Sequence, residues 1–323
     1  MAKLTAVVPC YNEEETVGKF CEEFFRATEK LRARGVDTEI LFVDDGSKDN
    51  TLLMIKKYAE QIRQIKYISF SRNFGKEAAM YAGLQNVDAD FVAVMDVDLQ
   101  DPPVLLESMY DSIINEGYDV VATRRQTRTG EPKVRSFFAK TYYKLTNYVS
   151  DTDVIDGARD YRLMTRQVVN AILMLSEKNR FSKGIFNWVG FKTKWISYDN
   201  IERSAGTTKW SFWKLFKYGI NGLVAHSSAL LLFPFILSGL LFVSWLGVVV
   251  WSILGGLFGL SISILPQIWI PLLLVFGFLF LCLGIMGLYI SKISADVKNR
   301  PIYITRETNL KGEIGFDRRN ERE

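Results

Sequence analysis

Between Ala229 and Ile290 the chain has no Asp, Glu, Lys or Arg at all. A stretch of that length without charge predicts a membrane part joined to a soluble one, with a buried helical hairpin in a soluble protein as the plainer alternative. Histidine is nearly absent too. The one present, His226, abuts the charge-free stretch and reads as an interface residue rather than a catalyst. Three cysteines (Cys10, Cys21, Cys282) show no metal-ligand spacing, and Cys282 lies inside the apolar stretch. An odd, unpaired count argues against a disulfide framework and for reduced thiols in a cytosolic catalytic part. MAKLTAVVPCYNEEE reaches three glutamates too soon for a secretory leader, so the soluble part is expected to stay inside. Lys and Arg number 40 against 36 Asp and Glu, a net charge of +4. That balance is modest, but the basic residues cluster beside the apolar stretch.

What is present before that stretch has ordinary globular composition. Leu4 to Val8 is a short apolar run ending at Pro9, a buried strand by length and flanks. Asn12 to Ala33 carries helical periodicity, with Val17, Phe20, Phe24 and Leu31 on one face. Glu39 to Val43 is a second strand that runs into DDGSKDNT, where Asp49 or Asn50 is placed to cap the next helix. A helix from Leu52, a strand at Ile65 to Phe70, a helix after Gly75 and a strand at Phe91 to Met95 follow. Such alternation predicts a mostly parallel sheet covered by helices. Ligands bind such sheets at the carboxyl ends of the strands. PCYNEEE, DDGSKDN, SRNFGKE and DVDLQDPP each follow an apolar strand and therefore converge on one edge.

Two apolar helices fit the charge-free block, one over 230–254 and one over 268–290, each near the ~20 residues that cross a bilayer. A loop with Gly255, Gly256, Gly259 and Pro266 separates them. Lys209, Lys214 and Lys217 precede the pair and Lys292, Lys298, Arg300 and Arg306 follow it. The positive-inside rule then puts Ser204 and the C-terminal tail in the cytoplasm, with Gly259 outside. KWSFWKLFKYGINGLVAH, from Lys209 to His226, alternates aromatic rings with lysine, the build of a helix lying in the membrane interface. A plain amphipathic core helix is the alternative. The expected organisation is a catalytic domain over 1–208, an interface helix over 209–228, two membrane helices over 229–291 and a cytoplasmic tail over 292–323.

VMDVDLQDPP, Val94 to Pro103, sets Asp96, Asp98, Gln100 and Asp101 at the end of an apolar strand. Oxygen-only donors favour a hard cation such as Mg2+ or Mn2+, which keeps waters and shares its shell with substrate phosphates. Side-chain direction repeats every two residues in a strand, so Asp96 and Asp98 are expected on one side. A solvated turn is the plainer reading of a lone Asp-x-Asp. Here an apolar strand, two prolines and three more polar loops at the same edge favour the metal.

VVPCYNEEETV, VDDGSKDNT, SRNFGKEAAM, MDVDLQDPP, ARDYRLMTR and RSAGTTKWSFWKL occur in that order. Together they resemble family 2 glycosyltransferases of the GT-A fold, and most of all the bacterial polyprenyl-phosphate glycosyltransferases related to dolichyl-phosphate mannose synthases. The resemblance covers almost the whole chain, the apolar helix pair included. It implies a Rossmann-like α/β domain followed by a two-helix transmembrane hairpin.

Residue by residue, the resemblance implies that Pro9, Tyr11, Asn12 and Glu13 hold the nucleotide. Asp44 and Asp45 would contact its base or ribose, unless they cap the next helix. Asp96, Asp98 and Gln100 would hold the divalent ion at the diphosphate, with Asp98 counted among the catalytic groups. Asp160 matches the catalytic carboxylate near the acceptor, as base or as positioning group; pairing with Arg159 or Arg162 is the structural alternative. Arg203, Thr208 and Lys209 match the family's Arg…Gly-x-Ser-Lys phosphate loop, with Thr208 in the place of serine, and Arg124 is a further phosphate candidate. The implied reaction moves a sugar from UDP-glucose or UDP-N-acetylglucosamine to undecaprenyl phosphate, with inversion, at a bacterial membrane and for the cell envelope. A GDP-mannose donor and a non-catalytic scaffold are the alternatives. The partners implied are nucleotide sugar, lipid phosphate and membrane lipid, not nucleic acid; relatives assemble as tetramers, which leaves room for a homo-oligomer.

Overall fold

In the computed structural model, residues 1–125, 158–175, 177–178, 180–198, 229–257 and 264–311 are described. The first half alternates as its sequence pattern requires: β1 (Lys3–Cys10), α1 (Val17–Ala27), α2 (Glu29–Ala33), β2 (Asp37–Asp44), α3 (Thr51–Gln61), β3 (Ile65–Phe70), α4 (Lys76–Asn86) and β4 (Phe91–Val94). Then come α5 (Leu105–Glu116), β5 (Val120–Arg125), β6 (Ala158–Thr165), α6 (Arg166–Met174), α7 (Ser182–Trp188) and β7 (Thr193–Tyr198). Two long helices, α8 (Ala229–Leu257) and α9 (Ile264–Val297), lead to a last strand, β8 (Thr305–Thr308).

Among the described residues, eight strands form one sheet in the order β7-β5-β6-β4-β1-β2-β3-β8. The centre, β4-β1-β2-β3, is parallel throughout, so the loops after these four strands open on one edge, as expected. The flanks are mixed, because β6 runs antiparallel to both β4 and β5, and β8 antiparallel to β3. Side-chain alternation divides the core between the two faces. Leu4, Ala6 and Val8 meet Phe20, Phe24 and Phe42 on one face, while Val7, Leu41 and Val43 meet Ala79 and Ala82 on the other. Gly83 lets α4 lie directly on β1, since a Cβ there would sit 2.1 Å from Val7 Cγ1.

The long helix expected over Asn12–Ala33 starts later and is broken. Asn12 takes a left-handed φ of 55°, and the Glu13 carbonyl accepts the Thr16 and Val17 N–H groups, so the chain turns over the sheet edge before α1 begins. At the other end Thr28 Oγ1 donates to the Phe24 carbonyl at 2.8 Å and separates α1 from α2.

Helices α8 and α9 are longer than the sequence pattern alone suggests, at 29 and 34 residues. They absorb Gly255, Gly256 and Pro266, which the reading above assigned to a loop. Both contain stretches long and apolar enough to cross a membrane, Ile236–Gly255 and Leu274–Val297. Their large apolar side chains, Trp251 and Phe280 among them, are exposed. At ~1.5 Å per residue α9 is longer than the ~30 Å hydrocarbon thickness of a bilayer, and its last turns carry Lys292 and Asp296.

The segment after α9, expected as a tail, returns to the sheet. Tyr303 stacks on Phe70 with ring centroids 5.0 Å apart, and its hydroxyl accepts from Asn86 Nδ2 and donates to Gln85 Oε1. Asn309 Oδ1 accepts the Tyr67 N–H at 2.8 Å and its Nδ2 donates to the Ile65 carbonyl at 3.1 Å. The second apolar helix is thereby fastened to the edge of the sheet.

Candidate active site

The loops after β1 and β2 are built on each other. Asn12 N–H donates to Ser47 Oγ at 3.0 Å, Asn12 Oδ1 accepts the Lys48 N–H at 2.8 Å, and Glu13 N–H donates to Thr51 Oγ1 at 2.7 Å. Asp49, not Asp44 or Asp45, serves the start of α3, accepting the Thr51 N–H at 3.0 Å. Asp44 accepts the Ser47 N–H and the Ser69 hydroxyl. Asp45 reaches across to the next loop, where Oδ1 takes the Phe74 N–H at 2.6 Å and Oδ2 the Gly75 N–H at 2.9 Å. Burial pushes the Asp45 carboxyl up to about 6, against those two hydrogen bonds, which favour the charged form. Gly46, at φ 65°, passes so close to the next loop that a Cβ would lie 2.5 Å from the Arg72 carbonyl carbon.

The loop after β4 is of a different kind. The strand ends at Val94, so Asp96 and Asp98 lie in a turn, not on a pleat; Leu99 adopts a left-handed φ of 57° and Asp98 Oδ1 accepts the Gln100 N–H at 3.2 Å. A leucine held in that region is strained, a feature that concentrates at functional loops. Because β6 runs antiparallel beside β4, its first residues arrive at this same edge. Lys76, at the start of α4, reaches between the two: its ammonium is 2.6 Å from Asp96 Oδ1 and 2.6 Å from Asp160 Oδ2. Asp101 is fully buried, and its Oδ1 accepts both Arg159 Nε at 3.0 Å and the Tyr198 hydroxyl at 2.5 Å, tying this loop to β6 and β7.

Charge sets the protonation states. Burial alone would raise the Asp160 carboxyl, but Lys76 and Lys183, the hydrogen bond from Lys76, and Arg162 hold it well below the usual carboxylate range. Burial alone would depress Lys76, but Asp160 and Asp96 hold it above the ordinary lysine value. The pairing of Asp160 with Arg159 or Arg162 does not occur. Arg159 goes to Asp101, while Arg162 donates to the Asp160 and Arg159 carbonyls with its guanidinium 3.7 Å over the Phe186 ring.

Among the described residues no three His, Cys, Asp or Glu side chains form a cage that could hold an ion unaided. The residues still suit a hard cation shared with a substrate. Asp96 already attracts a positive charge in the form of the Lys76 ammonium, and Asp98 and Gln100 add oxygen donors in the same turn. The remaining coordination would come from phosphate oxygens and water.

Pro9, paired with Val43 in the sheet, and Tyr11 stand at the β1 end with Asn12 and Glu13. Arg124 is exposed at the end of β5, opposite Ala158, and its Nε donates to Ser197 Oγ at 2.9 Å. Arg203, Thr208, Lys209, the 209–228 helix and His226 lie outside the described residues. The residue that sequence reasoning missed is Lys76. SRNFGKE marked its loop, but only the fold brings Asp96 and Asp160 to one ammonium.

Residues 5–173 match the family Glycosyl transferase family 2. CsbB of Bacillus subtilis (strain 168), which bears the name of a glycosyltransferase, is 42% identical over 312 residues, covering 95% of this chain and 92% of its own. The bactoprenol glucosyl transferase of Shigella phage SfII is 35% identical over 309 residues, covering 95% and 98%. Among solved structures, mannosyl-3-phosphoglycerate synthase from Rubrobacter xylanophilus overlays with a TM-score of 0.47 at 20% identity, over 69% of this chain and 73% of that one. The order of the motifs, the sheet edge on which they meet and the match over more than half the chain agree: the chain belongs to glycosyl transferase family 2 and is a glycosyltransferase.

Proposed function

We propose that the protein transfers a hexose from a nucleotide sugar to undecaprenyl phosphate at the cytoplasmic face of a bacterial membrane, with inversion at the anomeric carbon. The observation that carries the reading is the Asp96–Lys76–Asp160 bridge, at the strand edge of a chain that also bears two bilayer-length apolar helices. The name of the Shigella phage relative, aligned along nearly its full length, supports the acceptor. Lys and Arg flanking the apolar pair support the cytoplasmic orientation.

On this reading the Pro9–Glu13 and Asp44–Asp45 loops seat the nucleotide and keep its diphosphate at the Asp96–Gln100 turn. Mg2+ or Mn2+, held there by Asp96, Asp98 and Gln100, would supply charge neutralisation on the departing diphosphate. A phosphate oxygen of the acceptor bonds to the anomeric carbon as the bond to the nucleoside diphosphate breaks. The monoester's second pKa is about 6, so the acceptor arrives largely ionised and needs little help from a base. Asp160, held firmly in its charged form, is a poor proton acceptor and instead positions the reacting groups through Lys76. Arg203, Thr208 and Lys209 would approach the lipid phosphate from the segment before the membrane helices. UDP-glucose or UDP-N-acetylglucosamine is the proposed donor.

The test uses full-length protein with undecaprenyl phosphate, Mn2+ and a panel of UDP- and GDP-sugars, with the lipid product identified by mass. A lipid-linked hexose from one donor is expected. Absence of any such product from every donor, with hydrolysis of the nucleotide sugar instead, would reject the acceptor.

A further inference from the structure

The helices α4 and α7 are clamped together at their first turns. Glu77 Oε2 accepts the Ser182 N–H at 2.9 Å and also the Ser182 hydroxyl. Each clamp residue has a lysine beside it in sequence, Lys76 next to Glu77 and Lys183 next to Ser182. The two ammonium groups both act on Asp160. Lys76 is committed to Asp96 and Asp160, Arg159 to Asp101, and Arg162 to main-chain carbonyls and the Phe186 ring. Lys183 is half-buried, and among the described residues its ammonium has no hydrogen bond and no carboxylate within ion-pair distance. Burial lowers its pKa, Asp160 partly restores it, and Lys76, Arg159 and Arg162 lower it again. Such a group is short of an anion, and a phosphate is the anion this chemistry handles.

Which phosphate follows from where the segment sits. Five residues before Lys183, Lys178 Nζ donates to the Arg300 carbonyl at 2.6 Å and Lys178 N–H to Asp296 Oδ1 at 3.3 Å. Asp296 lies in the last turn of α9, so Lys178, in the segment just before α7, rests against the exit of an apolar helix. The two ends of this region, Met174 and Trp188, are 82% and 59% exposed, apolar side chains suited to headgroup depth.

We propose that Lys183 binds the phosphate of the lipid acceptor as it enters beside Asp160. The proposal rests on the polyprenyl-phosphate reading above and assigns that acceptor a contact on the catalytic domain itself, besides the 203–209 loop. Full-length wild type, Lys183→Met and Lys183→Arg are compared by KM for undecaprenyl phosphate and by Mn2+-UDP affinity from calorimetry. Losing one charge-assisted hydrogen bond to phosphate should raise the acceptor KM in Lys183→Met by about tenfold or more. The UDP affinity should stay within about twofold of wild type, which also certifies the fold, and Lys183→Arg should recover most of the KM. An unchanged acceptor KM would overturn the proposal. A parallel fall in UDP affinity would overturn it too, and would hand Lys183 to the donor's diphosphate. If wild type makes no lipid-linked product at all, the acceptor reading itself fails, a result visible before any variant is made.

Discussion

The two halves of the sheet edge use their acids in opposite ways. Beside β1 and β2, Asp44, Asp45 and Asp49 spend their oxygens on main-chain N–H groups and hydroxyls of neighbouring loops. Beside β4 and β6, Asp96, Asp160 and Asp101 are held by cations, Lys76 and Arg159. Acids bonded to the backbone fix loop shape, and Asp98 shapes the β4 turn in the same way with the one oxygen that accepts the Gln100 N–H. Acids bonded to a mobile ammonium can exchange that partner for another cation at small cost, because charge is replaced by charge. On the proposed function, the first half would be a mould for the nucleotide and the second the place where charge is traded during the reaction.

Substitutions that break this contrast should differ in kind. The largest effect is expected at Asp98: Asp98→Asn keeps volume and an acceptor for the Gln100 N–H but loses a charge. Turnover with Mn2+ should fall about a thousandfold, equivalent to about 4 kcal/mol, while the melting temperature stays near wild type. Lys76→Met comes next. It takes from Asp96 and Asp160 the ammonium they share and should cost about 1–2 kcal/mol of stability, less than a fully buried pair because the Lys76 side chain is 39% exposed. Mn2+ should restore more of the melting temperature in this variant than it adds to wild type, and equal shifts would deny that the ammonium and the ion share a place. The smallest effect belongs to Asp45. Its folded pKa of about 6 lies above the ordinary 3.8, so this group favours the fold below about pH 4 and that contribution is lost as pH rises through 6. Asp45→Asn should flatten this part of the stability profile between pH 4 and 7 in thermal melts.

The legibility of the sequence divides along the same line. The four central strands were readable because each is apolar on both faces, and their parallel direction brings PCYNEEE, DDGSKDN, SRNFGKE and DVDLQDPP to one edge. Local pattern could not reveal that β6 turns back antiparallel to β4, since that pairing joins residues about seventy apart, such as Val94 and Arg162. Without it Asp160 had no visible partner, and Arg159 and Arg162 were the natural guesses. Asn12 escaped the helix that periodicity drew through it because its side chain and N–H are claimed by Lys48 and Ser47. Strand β8 is only four residues long and follows an apolar helix, so nothing local marks it as the sheet's edge.

Binding of Mn2+ to the full-length protein with UDP, followed by electron paramagnetic resonance, tests the division of the edge most directly. Wild type and Asp45→Asn should each hold one ion per chain, and Asp98→Asn should hold none at the same concentration. An ion bound equally by Asp98→Asn, or lost from Asp45→Asn alone, would contradict the assignment of charge exchange to the β4–β6 half.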